Sequence, residues 1–125
     1  MTALALTCAL TLLAALATLQ VLLAFGAPFG RLAWGGQHRV LPTKLRVGSV
    51  ISVAVYAAMA ALLLSRAGMI AGDGTFVCVA TWALLGYFIL GVLMNAISRS
   101  RPERFTMTPV ALMLALATLV IALAD

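Results

Sequence analysis

The side chains able to do chemistry in this chain are few and far apart. The carboxylates are Asp73, Glu103 and Asp125, the single imidazole is His38, and the two thiols are Cys8 and Cys78. No pair of carboxylates is spaced for general acid–base work, and no nucleophile has a base beside it. His38 lacks a second ligand nearby, so a metal site is not expected. Cys8 and Cys78 form neither a C-x-x-C pair nor a metal-ligand spacing. The expectation is a protein that is not an enzyme and carries no metal or cofactor.

What remains is hydrogen-bonding and ionic chemistry. At about 100° per residue, Gly48, Ser49, Ser52, Tyr56 and Met59 share one helix face, and Leu84, Tyr87, Gly91, Asn95 and Ser98 share another. A polar pocket between these faces, lined by Ser52, Tyr56, Tyr87 and Asn95, is the functional reading. Close helix packing through small and hydroxylated residues is the structural one, and it accounts equally well for the stripe Ala111, Ala115, Thr118 and Ala122. Gln20 reads like Asn95, as an amide that needs a partner inside the membrane. The cations form two groups. Arg31, Trp34, His38 and Arg39 lie in one segment, and Arg99, Arg101 and Arg104 in another. Together they suit an anionic lipid headgroup or a phosphate.

The elements that must position these groups follow from composition. Of 125 residues, 65% are hydrophobic and 9% charged, against roughly 25% charged in a soluble domain. Such a chain cannot coat a water-soluble globule, and it is too apolar to be disordered. The charges leave free the stretches 1–30, 47–65, 74–98 and 105–124, each long enough to span about 30 Å of hydrocarbon as a helix. The expected spans are about 3–25, 43–64, 75–97 and 108–124. Together they form a single all-α transmembrane domain, an up-down-up-down bundle of four helices. The first run lacks a basic leader and is too long for a signal-peptide core, so it is read as a span.

Local signals set the expected ends. Gly26-Ala27-Pro28 stops span one, Thr43 is placed to cap span two, and Asp73 or Thr75 to cap span three. Thr108-Pro109 reads as a cap followed by proline at the first helical position. Apart from Lys44 and Arg46, which can snorkel from the first turns of span two, no ionised side chain then falls within a span. That counts against ion-coupled transport, which normally places an ionisable group inside the bundle.

Seven of the eight Lys and Arg residues flank the connections at about 26–42 and 98–107, including Lys44 and Arg46, and only Arg66 lies at the other end. The positive-inside rule makes the basic end cytoplasmic and sends both termini outward. The net charge of +5 is thereby explained without nucleic acid. Trp34 and Trp82 suit the two interfacial belts. Cys8 and Cys78 fall at similar depth on the outer side, where a disulfide is conceivable and free thiols are the default.

The run Gly30-Arg31-x-Ala33-Trp34-Gly35-Gly36-x-His38, the run Asn95-x-x-Ser98-Arg99-Ser100-x-Pro102-Glu103-Arg104 and the sequence Met107-Thr108-Pro109-Val110-Ala111 resemble those of a family of small four-span bacterial membrane proteins, itself uncharacterised. The resemblance implies a bacterial cytoplasmic (inner) membrane and no particular activity. The functional expectation is a lipid- or partner-interacting membrane protein, with membrane lipids and a further copy of itself as partners. The alternative is a small-solute or ion facilitator, which would need a dimer or larger because four short helices rarely enclose a pore.

Overall fold

A computed structural model describes residues 1–72 and 74–124 of the chain. Four helices carry it: α1 (Thr2–Ala24), α2 (Thr43–Arg66), α3 (Thr75–Ala96) and α4 (Arg101–Leu123). Each is long and apolar enough to cross a membrane; the shortest, 22 residues, rises about 33 Å. Among the described residues there is no strand. The chain is a four-helix bundle of the multi-pass membrane type.

The bundle closes in the order α2, α1, α4, α3. Sequence neighbours α1–α2 and α3–α4 pack closely, α1 packs on α4, and the α2–α3 seam is much looser. Small residues allow the close approaches. Ala9 is fully enclosed, and Ala111, Ala115, Thr118 and Ala122 are all buried. A methyl added at Gly91 would sit 3.8 Å from the Ala111 Cβ, so the stripe on α4 packs against α3. Leu13, Leu63, Leu114 and Ile121 fill the space between. Much of the remaining apolar surface points outward, including Val50, Ile51, Phe76 and Leu93. In lipid this costs nothing, because association there depends on packing and hydrogen bonds rather than on hiding oil from water.

Several helix ends differ from expectation. Thr43 does not cap α2; Pro42 occupies the cap position and Thr43 is the first helical residue. Gly74 stands at the start of α3 with no side-chain cap bond, while Asp73 lies outside the described residues. The largest difference is in α4, which begins at Arg101 rather than near Thr108. Ser100 is its cap, accepting from the Glu103 amide, Pro102 sits in the first turn, and Pro109 lies inside the helix. Proline fits the first turn because the amides there have no helical acceptor anyway. Pro109 removes one interior bond, and the helix continues past it to Leu123.

The hydroxyls within the spans mostly turn back on their own helices. Thr7, Thr11, Thr18, Ser52 and Thr81 each donate to the carbonyl four residues earlier, at 2.7–2.9 Å. These hydroxyls are thus satisfied by local bonds within their own helices. Cys8 and Cys78 are free thiols. Their helices, α1 and α3, stand diagonally across the bundle, which is why similar depth does not bring them together.

Candidate functional site

The two basic connections meet at one end of the bundle. Ser100 Oγ donates to the Arg31 carbonyl at 2.7 Å, and the Gly35 amide donates to Glu103 Oε2 at 3.1 Å. Backbone shape makes this possible. Trp34, Gly35 and Gly36 have successive φ values of +54, +78 and +70°, in the left-handed region that glycine enters without steric penalty. A side chain at Gly36 would run into Ser100. Trp34 is not glycine, and its conformation is held by the docking of its indole. Nε1 donates to the buried Ser49 hydroxyl at 3.2 Å, and a methyl at Gly48 would lie 2.8 Å from the ring. Trp34 was expected to lie among lipid headgroups with the cations. Although 40% exposed, it is folded back onto α2 instead.

Behind this junction lies a cavity of about 270 Å³. The four residues expected to form a polar pocket, Ser52, Tyr56, Tyr87 and Asn95, all line it. They face one another across the loose α2–α3 seam, with Tyr87 more than half exposed there. The structure adds three polar or aromatic groups that the pocket reading had left out: Gln20 from α1, Trp34 from the connection and Glu103 from α4. Leu16, Leu19, Val110 and Leu114 supply apolar wall. Toward the opposite end, Leu13, Met59 and Leu84 belong to the packed core.

Glu103, expected in the connection before span four, lies instead within a helix of the bundle. It sits in the first turn of α4 and is only 7% exposed. Its signal was present in the sequence, since Ser100-x-x-Glu103 is the pattern of a capping box. Only half of that box forms. Ser100 Oγ accepts from the Glu103 amide, while the Ser100 amide itself donates to Ser98 Oγ. The carboxylate is turned instead toward Gly35 and the cavity. The partner of the carboxylate is thus a backbone amide.

Three of the hydrogen-bond donors around the cavity are occupied. Trp34 donates to Ser49, Ser52 to the Gly48 carbonyl at 2.9 Å, and Asn95 Nδ2 to the Gly91 carbonyl at 2.7 Å. One buried acceptor is not. Gln20 is 7% exposed, and its Oε1 has no partner among the described residues.

None of the cations lines the cavity. Arg31 Nη1 donates to the Gly36 carbonyl, and Arg104 donates to the Ser98 carbonyl and lies 4.8 Å from the centre of the Phe105 ring. Arg46 donates to the Leu41 carbonyl beside the end of α1. Arg31, His38, Arg39, Arg99 and Arg101 are exposed around the same end, so they form a collar rather than a pocket. Arg66, alone at the other end, donates to the carbonyls of Ala122 and Ala124 at the finish of α4. Among the described residues no cluster of His, Cys, Asp or Glu is placed to hold a metal. Searches against protein-family models, curated proteins and solved structures return no match for this chain.

Proposed function

We propose that the protein is a non-enzymatic lipid-interacting membrane protein whose basic end rests on the cytoplasmic leaflet. The observation that carries this reading is the asymmetry of the two ends. One presents the exposed Arg31, Arg39, Lys44, Arg99 and Arg101 on a clasped pair of connections, with His38 among them. At the other, Arg66 is engaged by helix carbonyls. Anionic headgroups attract juxtamembrane cations by about 1 kcal/mol for each Lys or Arg near the surface. The positive-inside rule places such an end in the cytoplasm, with both termini outside. The sequence resemblance to small bacterial four-span proteins makes the bacterial inner membrane the membrane in question. The exposed small and apolar faces leave self-association open to a second copy.

Native mass spectrometry of the full chain released from mixed bilayers tests the lipid reading. Arg99, Arg101 and Arg104 changed together to Gln are expected to lower the retained phosphatidylglycerol count by about half or more. An unaltered count overturns the reading.

A further inference from the structure

The cavity carries a chemistry opposite to that of the collar around it. Its lining is rich in acceptors and aromatic faces. Glu103 brings a carboxylate nine-tenths buried, with one oxygen on the Gly35 amide and, among the described residues, no hydrogen bond to the other. Gln20 brings a buried carbonyl oxygen without a donor. Asn95 has its amide nitrogen tied to Gly91, which leaves its oxygen as the free end. Tyr56, Tyr87 and Trp34 supply π faces. A buried carboxylate without a cationic partner is costly, and an unpaired buried carbonyl adds to that cost. The guanidiniums of Arg31 and Arg104 are directed to backbone carbonyls instead.

An anionic ligand is opposed by the carboxylate in the wall; the donors of Trp34, Ser52 and Asn95 are occupied, which leaves the phenol hydroxyls of Tyr56 and Tyr87, able to accept as well as to donate. A ligand that brings positive charge and several N–H donors meets the Glu103 carboxylate, the Gln20 carbonyl and the Asn95 oxygen. A primary ammonium has three such donors in a compact head, and it gains from aromatic faces within about 6 Å. At about 270 Å³ the cavity is near the lower limit for ligand sites, so it suits a head group and a short length of chain. The α2–α3 seam, where the helices pack least, gives an attached alkyl tail a route into lipid.

We propose that this cavity binds a primary ammonium group of a membrane-phase molecule, with Glu103 as counter-ion and Gln20 as a second acceptor. The same chemistry is offered by the ethanolamine headgroup of a phospholipid and by a free alkylamine, and the experiment separates the two. The full chain carrying Trp82→Phe, which leaves Trp34 as the only indole, is placed in phosphatidylcholine nanodiscs. It is titrated with hexylamine at neutral pH, against hexanol and against sodium chloride at matched concentration. Hexylamine is expected to change Trp34 fluorescence saturably, and the two controls are not. Glu103→Gln, which keeps an acceptor for the Gly35 amide, is expected to weaken that affinity at least tenfold.

Replacing part of the phosphatidylcholine by phosphatidylethanolamine tells the sources apart. Competition with hexylamine identifies the headgroup as ligand, and lack of competition identifies the free amine. Equal binding by Glu103→Gln and the parent, or no saturable hexylamine signal together with no preference for phosphatidylethanolamine in native mass spectra, overturns the proposal. If circular dichroism shows Glu103→Gln unfolded, Gln20→Leu is read in its place, and less than a threefold weakening has the same consequence. Retained phosphatidylglycerol is counted in the same spectra. Its persistence in Glu103→Gln keeps the collar reading separate from the fate of the cavity.

Discussion

At the scale of single residues, the contact between Gly36 and Ser100 is the tightest point of the basic end. Gly36 is buried with φ of +70°, and any Cβ there meets the Ser100 side chain. Gly35 has a similar φ of +78° but open space around it. Gly36→Ala is therefore expected to cost about 2–3 kcal/mol through strain and clash, and Gly35→Ala about 1 kcal/mol through backbone strain alone. Thermal unfolding in a mild detergent checks the order; equal losses would show that the clash is not what distinguishes them.

The residue scale is also where sequence reading was most uneven. Ser52, Tyr56, Tyr87 and Asn95 were legible as two facing stripes because helical periodicity alone places them. Gln20 was legible as a buried amide, but its cavity was not. Glu103 was missed as a lining group because a charge was taken to mark the outside of a helix. The fold instead buries that charge in a first turn, where the positive end of the helix dipole and a loop amide receive it.

At the scale of elements, the helix ends were less readable than the helices. The apolar runs identified all four, since a continuous apolar stretch of about 20 residues matches a spanning helix, which satisfies its own backbone groups in lipid. The start of α4 was misplaced because Thr108-Pro109 offers as good a local start signal as Ser100-x-x-Glu103. The contact of Ser100 with Arg31, 69 positions away, decides between them, and no local pattern contains it. The finish of α4 depends on a second long-range contact, Arg66 with the carbonyls of Ala122 and Ala124 at 2.9 and 3.0 Å. A cation at a helix C-terminus both satisfies open carbonyls and complements the dipole. Arg66→Gln is expected to cost ~2 kcal/mol and to speed amide exchange over the last turn of α4, leaving the first turn unchanged. Hydrogen–deuterium exchange read by mass spectrometry checks this; an unaltered last turn would mean the carbonyls do not need the guanidinium.

At the scale of the whole molecule, the arrangement of charge and the looseness of one seam govern what the bundle can do. Seven cations at one end were visible from the sequence, and so was the pairing of even and odd connections on opposite sides. The order in which the helices close was not, because four apolar stripes of similar composition fit several rings. That order places the weakest packing between α2 and α3 and so opens the cavity to lipid. The lipid reading requires the basic end to face the cytoplasmic leaflet. Single cysteines introduced into a Cys8→Ser, Cys78→Ser background at the exposed positions Gln37 and Arg101, and at Thr2 and Met69 on the other side, test this with a membrane-impermeant maleimide. In intact cells, labelling at positions 2 and 69 with protection at 37 and 101 until the cells are permeabilised is the expected result. Labelling at 37 and 101 with protection at 2 and 69, or a split within either pair, would contradict it.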